Sequence, residues 1–330
     1  MTQHFEALVV NKQENDFSLS IQQLSLGDLP EGEVLIRVHY SGVNYKDSLA
    51  TIPNGNIVAS YPIVPGIDLA GVVVSSKDPR YKEGDEVIAT SYGIGVSHFG
   101  GYGEFAQIPA EWVVPLPEGL TLKEAMIIGT AGFTAALSVM RLEQNGVTPD
   151  SGNVLVTGAT GGVGSFAVSI LSKLGYSVEA STGKKSEHAY IKELGATKIL
   201  SREDVYNGTL RPLGKQKWIG AVDPVGGDPL ASVLSQIIYG GSVAVSGLTA
   251  GTNLPTTVFP FILRGVNLLG IDSVNCPMET RLQVWKRLAT DFKPSHLKQL
   301  IQQEITLKEL PTVLPTLLKG EARGRTIVKL

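Results

Sequence analysis

A glycine-rich turn is the segment of this sequence whose residue types and spacing most clearly could do chemistry. It follows Val154-Leu155-Val156 and reads Thr157-Gly158-Ala159-Thr160-Gly161-Gly162-Val163-Gly164. Glycines let the backbone approach a ligand closely, and the N–H groups of a new helix then face an anion such as a pyrophosphate. The spacing is Gly158-x-x-Gly161-x-x-Gly164 rather than G-x-G-x-x-G, so an ordinary strand–turn–helix remains the alternative.

The elements around this turn favour a dinucleotide-binding interpretation. The β-branched run before it predicts a strand, and apolar residues from Phe166 to Leu174 recur at helical spacing. A second strand predicted after Gly175 completes a βαβ unit. Beyond it, strands are predicted at 177–181, 198–200, 220–222, 242–245 and 267–271, with helices at 185–194 and 229–238. Such alternation is typical of a doubly wound parallel sheet.

Residues 1–124 have a different pattern and are predicted to be all-β. Val34–Tyr40 alternates with a period of two, and shorter strand candidates at 72–74 and 86–89 are separated by frequent glycine and proline. This predicts a small barrel-like domain. After a helix at 131–143 and the βαβ region, the chain ends in helices at 279–289 and 311–319 and a strand at 325–330.

We therefore predict an α/β protein with a discontinuous first domain, 1–124 and 272–330, and a dinucleotide-binding domain, 125–271. In open α/β sheets the ligand lies at the carboxyl ends of the strands. The β-rich domain would wall that crevice, so we expect the active site between the domains.

Composition excludes several classes of protein. The chain has 330 residues, 43% hydrophobic and 18% charged, with a net charge of −3, which is ordinary for a globular enzyme. We expect no nucleic-acid partner and no membrane partner, because there is no excess of positive charge and the apolar stretch 125–140 falls short of a spanning helix. The N-terminal residues Met1–Glu6 lack the features of a signal peptide. The single cysteine, Cys276, fits a cytoplasmic location.

Several segments together resemble one known family. They are Ser41–Asp47, Pro65–Gly71, Ile128–Ala135, Val156–Gly164, Leu254–Val258, Pro260–Arg264 and Gly324–Lys329. The chain is similar to zinc-independent medium-chain dehydrogenase/reductases of the quinone-oxidoreductase branch, and more narrowly to the YhdH/YhfP group that includes NADPH-dependent acrylyl-CoA reductases. The resemblance implies a GroES-like β-barrel domain, a Rossmann domain and a homodimer, which we expect to form through the edge strand 267–271.

The resemblance also argues against a catalytic zinc ion. Zinc-dependent relatives carry a cysteine where Asn44 stands, and a His-Glu pair where Ile67-Asp68 stands. Zinc needs three or four N, S or O ligands at about 2.0–2.3 Å. Asparagine and isoleucine do not replace those ligands, so we expect no metal.

The expected cofactor is NADPH. The position at which NAD-dependent relatives carry an acidic residue falls on Gly183, beside Ser181, Thr182, Lys184 and Lys185. Hydroxyl and ammonium groups suit a 2′-phosphate, which a carboxylate would repel. By resemblance Arg202 also contacts the cofactor; the alternative for the two lysines is a solvated helix start. Glu179 lies inside its predicted strand rather than at the tip, and we discount it as a ribose ligand.

Further contacts follow from the resemblance alone. The cofactor contacts are Tyr45, Thr160, Gly161, Gly162, Val163, Leu248, Ile262, Ser273 and Arg325. In related dehydrogenases the arginine at the Arg325 position binds the pyrophosphate, and the alternative is a surface charge on the last strand. The candidate catalytic residues, on a loop expected to meet the nicotinamide, are Asn44, Tyr45 and Asp47.

The proposed chemistry is conjugate reduction of a small-molecule enoyl thioester. Tyr45 would orient the substrate or deliver a proton, with a wall residue and protonation by water as the alternative. Asp47 is expected to organise the loop, because an unperturbed carboxyl of pKa about 3.9 is a poor proton donor at neutral pH. His98 is a weaker candidate for a general acid.

Three functions remain open at this point. The first is NADPH-dependent reduction of a short enoyl-CoA such as acrylyl-CoA. The second is reduction of quinones or reactive α,β-unsaturated carbonyls. The third is a non-enzymatic role, either as an NADPH-binding sensor or as an RNA-binding protein. It is disfavoured because the residues of the site loop are intact and the sequence shows no basic or aromatic nucleic-acid surface.

Overall fold

The structure, a computed structural model, describes residues 4–13 and 16–330. Met1, Thr2 and Gln3, which belong to the stretch considered for a signal peptide, lie outside the described residues. The helices and strands of the first part of the chain are, in order, β1 (His4–Gln13), β2 (Asp16–Ser25), β3 (Val34–Val43), α1 (Tyr45–Ala50), β4 (Asp68–Ser76), β5 (Glu86–Thr90), β6 (Phe105–Ile108), β7 (Val113–Pro115) and α2 (Leu122–Gln144).

The remaining elements include the alternating strands and helices predicted from the sequence, together with two short helices (Arg202–Val205 and Phe259–Arg264) and a strand (Ile301–Thr306) that were not predicted. They are β8 (Val154–Val156), α3 (Gly162–Lys173), β9 (Val178–Ser181), α4 (His188–Glu193), β10 (Lys198–Leu200), α5 (Arg202–Val205), β11 (Trp218–Asp223), α6 (Gly227–Gln236), β12 (Ile237–Val245), α7 (Phe259–Arg264), β13 (Asn267–Gly270), α8 (Met278–Ala289), β14 (Ile301–Thr306), α9 (Leu310–Leu318) and β15 (Arg325–Lys329).

The chain divides into two compact units. The first contains residues 1–130, 274–285 and 297–330, and the second contains 131–273 and 286–296. The first boundary thus follows Thr130 rather than residue 124, and 286–296 belongs to the second unit. Each of the two units has its own sheet and core.

The first unit is built on a mainly antiparallel sheet. In the described residues its strand order is β14-β15-β3-β4-β5-β7, with β6 also paired to β3 and only β14–β15 parallel. One core cluster contains Phe5, Leu8, Tyr102, Leu310 and Val328, and a second contains Val34, Ile36, Leu69, Val87 and Ile108. The strands alternate because one face of each packs on such a core.

The second unit confirms the predicted parallel sheet. Its strand order, in a stretch of chain described throughout, is β10-β9-β8-β11-β12-β13. The neighbouring pairs are parallel. The core below the sheet contains Leu155, Trp218, Leu234 and Val243. β13 stands at the edge, and a homodimer through this edge stays a prediction.

The all-β prediction for residues 1–124 is wrong at Tyr45–Ala50, which form α1. Asn44 has an extended backbone, and its N–H donates to the Asp47 carboxylate, with the nitrogen 2.8 Å from Oδ2. An Asn followed three residues later by an acidic side chain is typical of a helix start. The strands β1 and β2, which pair over ten residues, were also not predicted.

Helix α2 is longer than the segment predicted at 131–143, and it is broken at Gly129. Its 23 residues are apolar enough to cross a membrane, but 89% of the most apolar window is buried in the protein, as in a core helix. Gly129 has a φ of 50° and a ψ of −161°, which interrupts the helix. A Cβ atom there would lie 2.5 Å from Asp68 Oδ2 and 2.7 Å from Arg325 Nη2. Only glycine fits this position without displacing both charged groups.

We expect Gly129→Ala to destabilise the protein by at least about 3 kcal/mol, because it combines left-handed strain with disruption of a buried ion pair. Gly146→Ala is the matched control: its φ is 80°, but an added Cβ meets nothing within 4 Å. The control should cost only about 1–2 kcal/mol. Urea unfolding measures both, and equal costs would contradict the steric argument.

Candidate functional site

The glycine-rich turn in the second unit has the geometry of an anion cradle. Gly158 has a φ of 55°, and α3 begins at Gly162, with Gly161 as its N-cap. A Cβ atom on Gly164 would lie 2.3 Å from the Gly158 carbonyl oxygen, so a side chain there would fill the turn. The first N–H groups of a helix have no intrahelical acceptor. The predicted contacts Thr160, Gly161, Gly162 and Val163 therefore lie together where backbone donors can meet a pyrophosphate.

The tip of β9 brings the predicted 2′-phosphate residues together. β9 and β10 run parallel, with Ser181 opposite Leu200, so the segments after both strands lie side by side. Arg202 begins α5, and a Cβ atom on Gly183 would lie 2.6 Å from Arg202 Nε. The Arg202 guanidinium therefore occupies the space that a side chain at position 183 would need.

The neighbouring residues of this tip differ in exposure. Ser181 and Thr182 are buried; the Ser181 hydroxyl donates to the Ser201 carbonyl, and Thr182 Oγ1 accepts from the Lys184 N–H. Lys185 is exposed and begins a short 3₁₀ turn, Lys185–Glu187. A solvated start of that turn therefore stays open as the alternative for Lys185.

Glu179 lies inside β9 and is engaged in the structure of the sheet. Its carboxylate accepts from Trp218 Nε1 at 2.8 Å and Asn153 Nδ2 at 3.1 Å, and Lys198 Nζ lies 3.7 Å away. These contacts agree with discounting it as a ribose ligand.

Three further predicted cofactor contacts lie elsewhere in the second unit. Leu248 follows β12 and Ile262 lies in α7, and both are exposed, whereas Ser273 is buried three residues after β13. Their contact with a cofactor stays a prediction.

The predicted catalytic residues lie at the start of α1 in the first unit. Tyr45 is the first residue of the helix and is 45% exposed, while Asn44 and Asp47 are buried. Asp47 accepts from the Asn44 N–H and from the Ile67 N–H, both at 2.8 Å, and from Asn44 Nδ2 at 3.2 Å. Asp47 thus ties the start of α1 to the segment before β4, which is the organising role expected for it.

A buried ion pair lies beside Asn44. Arg325 is 3% exposed, and its Nη2 lies 3.5 Å from Asp68 Oδ2. Asp68 also accepts from the Thr130 N–H and hydroxyl and from Asn44 Nδ2. The Arg325 guanidinium donates to the carbonyls of Ile127 and Val43 and to Asn44 Oδ1.

Arg325 is therefore not a surface charge on the last strand, because pairing of β15 with β3 puts it in the interior of the first unit. Its contact with a pyrophosphate stays a prediction. Asp68 and Thr130 were not predicted as members of this network. The one available signal was that Asp68 stands where zinc-dependent relatives carry an acidic residue.

The Asp47 carboxyl does not have the ordinary pKa assumed from the sequence. Complete burial, followed by the nearby charge of Asp68, raises the pKa of Asp47 to about 7, although three N–H donors act in the opposite direction. The argument that its usual pKa makes it a poor proton donor at neutral pH is therefore wrong. Its burial, however, keeps this carboxyl away from solvent.

His98 has structural contacts. Its Nε2 lies 2.7 Å from the Gln107 carbonyl oxygen, and its ring packs edge-on against Trp112. Burial lowers the pKa of His98. These contacts favour a structural role over acid catalysis.

The residues that stand where zinc-dependent relatives carry metal ligands make other contacts in this protein. The Asn44 amide is held by Asp47, Asp68 and Arg325, and Ile67 is buried. Among the described residues, no group of three or more His, Cys, Asp or Glu side chains could hold a metal ion.

We expect the stability of the protein to depend on the titration of Asp47. The folded state holds this proton up to about pH 7, whereas the unfolded chain loses it near pH 4. The contribution of Asp47 protonation to the free energy of unfolding is thus complete below pH 4 and is lost as the pH rises through 7. The difference in unfolding free energy between the wild type and Asp47→Asn should narrow by more than about 1.4 kcal/mol from pH 5 to pH 8.

Urea unfolding at several pH values tests this expectation. Asp204→Asn is the control, because hydrogen bonds from Ser201 lower the pKa of the exposed Asp204, which then titrates below this range. Its difference from the wild type should stay constant. A constant difference for Asp47→Asn as well would show that Asp47 is ionised throughout.

Comparison with known proteins gives a consistent family assignment. Residues 30–118 match the alcohol dehydrogenase GroES-like domain, and residues 162–290 match the family described as zinc-binding dehydrogenase. The Bacillus subtilis protein YhfP is 60% identical over the full length of both chains, and its crystal structure with NAD bound has a TM-score of 0.98. The Ruegeria pomeroyi acrylyl-CoA reductase AcuI is 52% identical over 98% of both chains.

A third relative extends the likeness to a structure with a different bound nucleotide. The Escherichia coli protein YhdH, solved with NADPH, is 49% identical, covers 98% of this chain and 99% of its own, and has a TM-score of 0.94. The GroES-like and Rossmann-type domains expected from the sequence are thus confirmed. The chain belongs to the YhdH/YhfP family of medium-chain dehydrogenase/reductases, a family of oxidoreductases.

Proposed function

We propose that this protein uses NADPH to reduce the carbon–carbon double bond of a short enoyl-CoA thioester such as acrylyl-CoA. The observation that carries the proposal is the 52% identity, over nearly the full length of both chains, to a protein named acrylyl-CoA reductase. An E. coli relative, 49% identical, is named "Probable acrylyl-CoA reductase AcuI". The two candidate sites supply what such a reaction needs: a nucleotide cradle and an exposed phenol.

The nucleotide cradle supports NADPH as the cofactor. Gly158 and Gly164 let the turn lie close against the start of α3, whose first N–H groups can then bind a pyrophosphate. At the tip of β9, position 183 carries no carboxylate and the Arg202 guanidinium lies against it. A guanidinium can bind a phosphate through two parallel hydrogen bonds, which the ribose hydroxyl of NADH cannot provide.

Structures of the relatives include both nucleotides. YhdH has been solved with NADP in the Salmonella enterica protein and with NADPH in the E. coli protein, and YhfP has been solved with NAD. The basic tip of β9 is the reason to prefer NADPH for this chain.

The start of α1 supports the catalytic part of the proposal. NADPH, when bound, supplies a hydride for the β-carbon of the thioester, and negative charge then develops on the thioester oxygen. The Tyr45 hydroxyl would donate a hydrogen bond to that oxygen or deliver the proton to the α-carbon. Water is the alternative proton source. Asn44 and Asp47 would keep Tyr45 in place through the hydrogen bonds at the helix start.

Reduction of quinones or of reactive α,β-unsaturated carbonyls is the second candidate function. The observation in its favour is that YhfP, 60% identical, carries a provisional name as a quinone oxidoreductase. It needs the same nucleotide site but no recognition of CoA.

The test of the proposed function is the oxidation of NADPH by the purified protein with acrylyl-CoA, crotonyl-CoA and 1,4-benzoquinone. We expect kcat/KM to be highest with acrylyl-CoA and about tenfold lower with crotonyl-CoA, which carries one more methyl group. Rates with benzoquinone that equal or exceed those with acrylyl-CoA would assign the protein to the second function. Binding of NADPH without turnover of any of the three would contradict both.

The cofactor assignment has its own test. We expect Arg202→Ala to raise the KM for NADPH about tenfold or more, because a charge-assisted contact with the 2′-phosphate is lost, and to leave the KM for NADH unchanged. Arg211→Ala, an exposed arginine in the same unit, is the control and should change neither value. An equal effect of Arg202→Ala on both nucleotides would place Arg202 away from the 2′-phosphate.

A further inference from the structure

The strand order of the parallel sheet reverses between β8 and β11. The strand order β10-β9-β8 extends one way from β8, and β11-β12-β13 extends the other way. Where the strand order reverses, the connections after the two neighbouring strands leave in opposite directions. They open a crevice at the carboxyl edge of the sheet, and ligands bind in such crevices. Thr157 directly follows β8 and Asp223 is the last residue of β11. These two side chains therefore lie where the crevice begins.

Asp223 joins the two strand ends through its carboxylate. Thr157 Oγ1 donates to Asp223 Oδ2 at 2.9 Å, and Asp223 itself is 0% exposed. Asp223 Oδ1 accepts from the Val225 N–H at 3.0 Å and from the Gly226 N–H at 2.6 Å. One oxygen thus holds Thr157, the first residue of the glycine-rich turn, and the other holds the loop after β11.

The loop held by Asp223 packs against the glycine-rich turn. A Cβ atom on Gly158 would lie 3.2 Å from Val225 Cγ2, so the Val225 side chain packs against Gly158. The other side of the loop is fixed by the segment after β12, because the Ala250 N–H donates to the Val225 carbonyl at 2.9 Å. The loop is therefore held on both sides, and the shape of the turn depends on where Asp223 places Thr157 and Val225.

We propose that Asp223 is a positioning residue for the dinucleotide: through Thr157 and Val225 it holds the turn 158–161 in the shape that receives the pyrophosphate. It acts without touching the cofactor. The proposal rests on the cofactor part of the proposed function and is independent of which substrate is reduced. We call the hydrogen bonds from Thr157, Val225 and Gly226 to Asp223 the clasp. The proposal predicts that loss of the clasp weakens binding of the pyrophosphate and the nicotinamide half of the cofactor. Binding of the 2′-phosphoadenosine half at the tip of β9 should not change.

Thr157→Val tests the clasp because it removes the donor hydroxyl at nearly the same volume. We expect the Kd for NADPH, measured by its fluorescence on the full-length protein, to rise about tenfold, as for loss of a hydrogen bond to a charged group. The Kd for 2′-AMP, measured by calorimetry, should stay within about twofold, since this probe has no 5′-phosphate for the turn to bind. Thr157→Ser keeps the hydroxyl and should restore the wild-type Kd for NADPH.

Val225→Ala is the second variant, in case Thr157→Val does not fold. It leaves the Asp223 hydrogen bonds in place and loosens the contact with Gly158, so it too should weaken NADPH binding and leave 2′-AMP unaffected. An unchanged Kd for NADPH in either folded variant overturns the proposal. Equal weakening of NADPH and 2′-AMP also overturns it, because that result indicates a general loss of structure. A failure of acrylyl-CoA as a substrate would leave all of these binding results unchanged.

Discussion

The buried Arg325 guanidinium is the group on which the architecture of the first unit depends. A buried charge costs several kcal/mol unless it is paired and its donors are satisfied. Here the hydrogen-bond acceptors are the Val43 carbonyl, Asn44 Oδ1 and the Ile127 carbonyl. The Asp68 carboxylate, 3.5 Å from Arg325 Nη2, supplies the opposite charge. The last strand of the chain, the start of α1, the start of β4 and the first part of α2 must therefore meet at one point. The close approach also explains Gly42 and Gly129, at each of which a Cβ would lie 2.7 Å from Arg325 Nη2.

The second unit depends on a different constraint, the direction of its strands. Because the strands are parallel, every loop that follows a strand leaves from the same edge of the sheet. The glycine-rich turn, the basic tip after β9 and the Asp223 loop are distant in sequence and share this edge. The local sequence determines which residues each loop contains, and the parallel sheet brings the three loops together. This is why a nucleotide site was predictable here from motifs that are individually weak.

The same reasoning explains which features could be predicted from the sequence and which could not. Central parallel strands such as Val154–Val156 are fully buried, and they appear in the sequence as short apolar runs. α1 was missed although its signal was present, since Asn44 and Asp47 have the spacing of a capping box. The burial of Arg325 could not be predicted locally, because it results from pairing of β15 with β3 across most of the chain. The raised pKa of Asp47 likewise depends on its burial and then on the charge of Asp68, 21 positions away in sequence and brought near only by folding.

Both candidate sites use a buried aspartate in the same physical way. Asp47 receives N–H groups from Asn44 and Ile67, and Asp223 receives those of Val225 and Gly226 together with the Thr157 hydroxyl. A carboxylate has two oxygens and about four lone pairs, so one side chain can hold two segments that are remote in sequence. The groups that would meet a ligand, the Tyr45 phenol and the backbone of the glycine-rich turn, carry no charge of their own, while the buried carboxylates fix their positions. Each site therefore separates the groups that bind from the groups that position. The donors reduce the cost of burying each carboxylate but do not cancel it, because burial still raises the pKa of both Asp47 and Asp223.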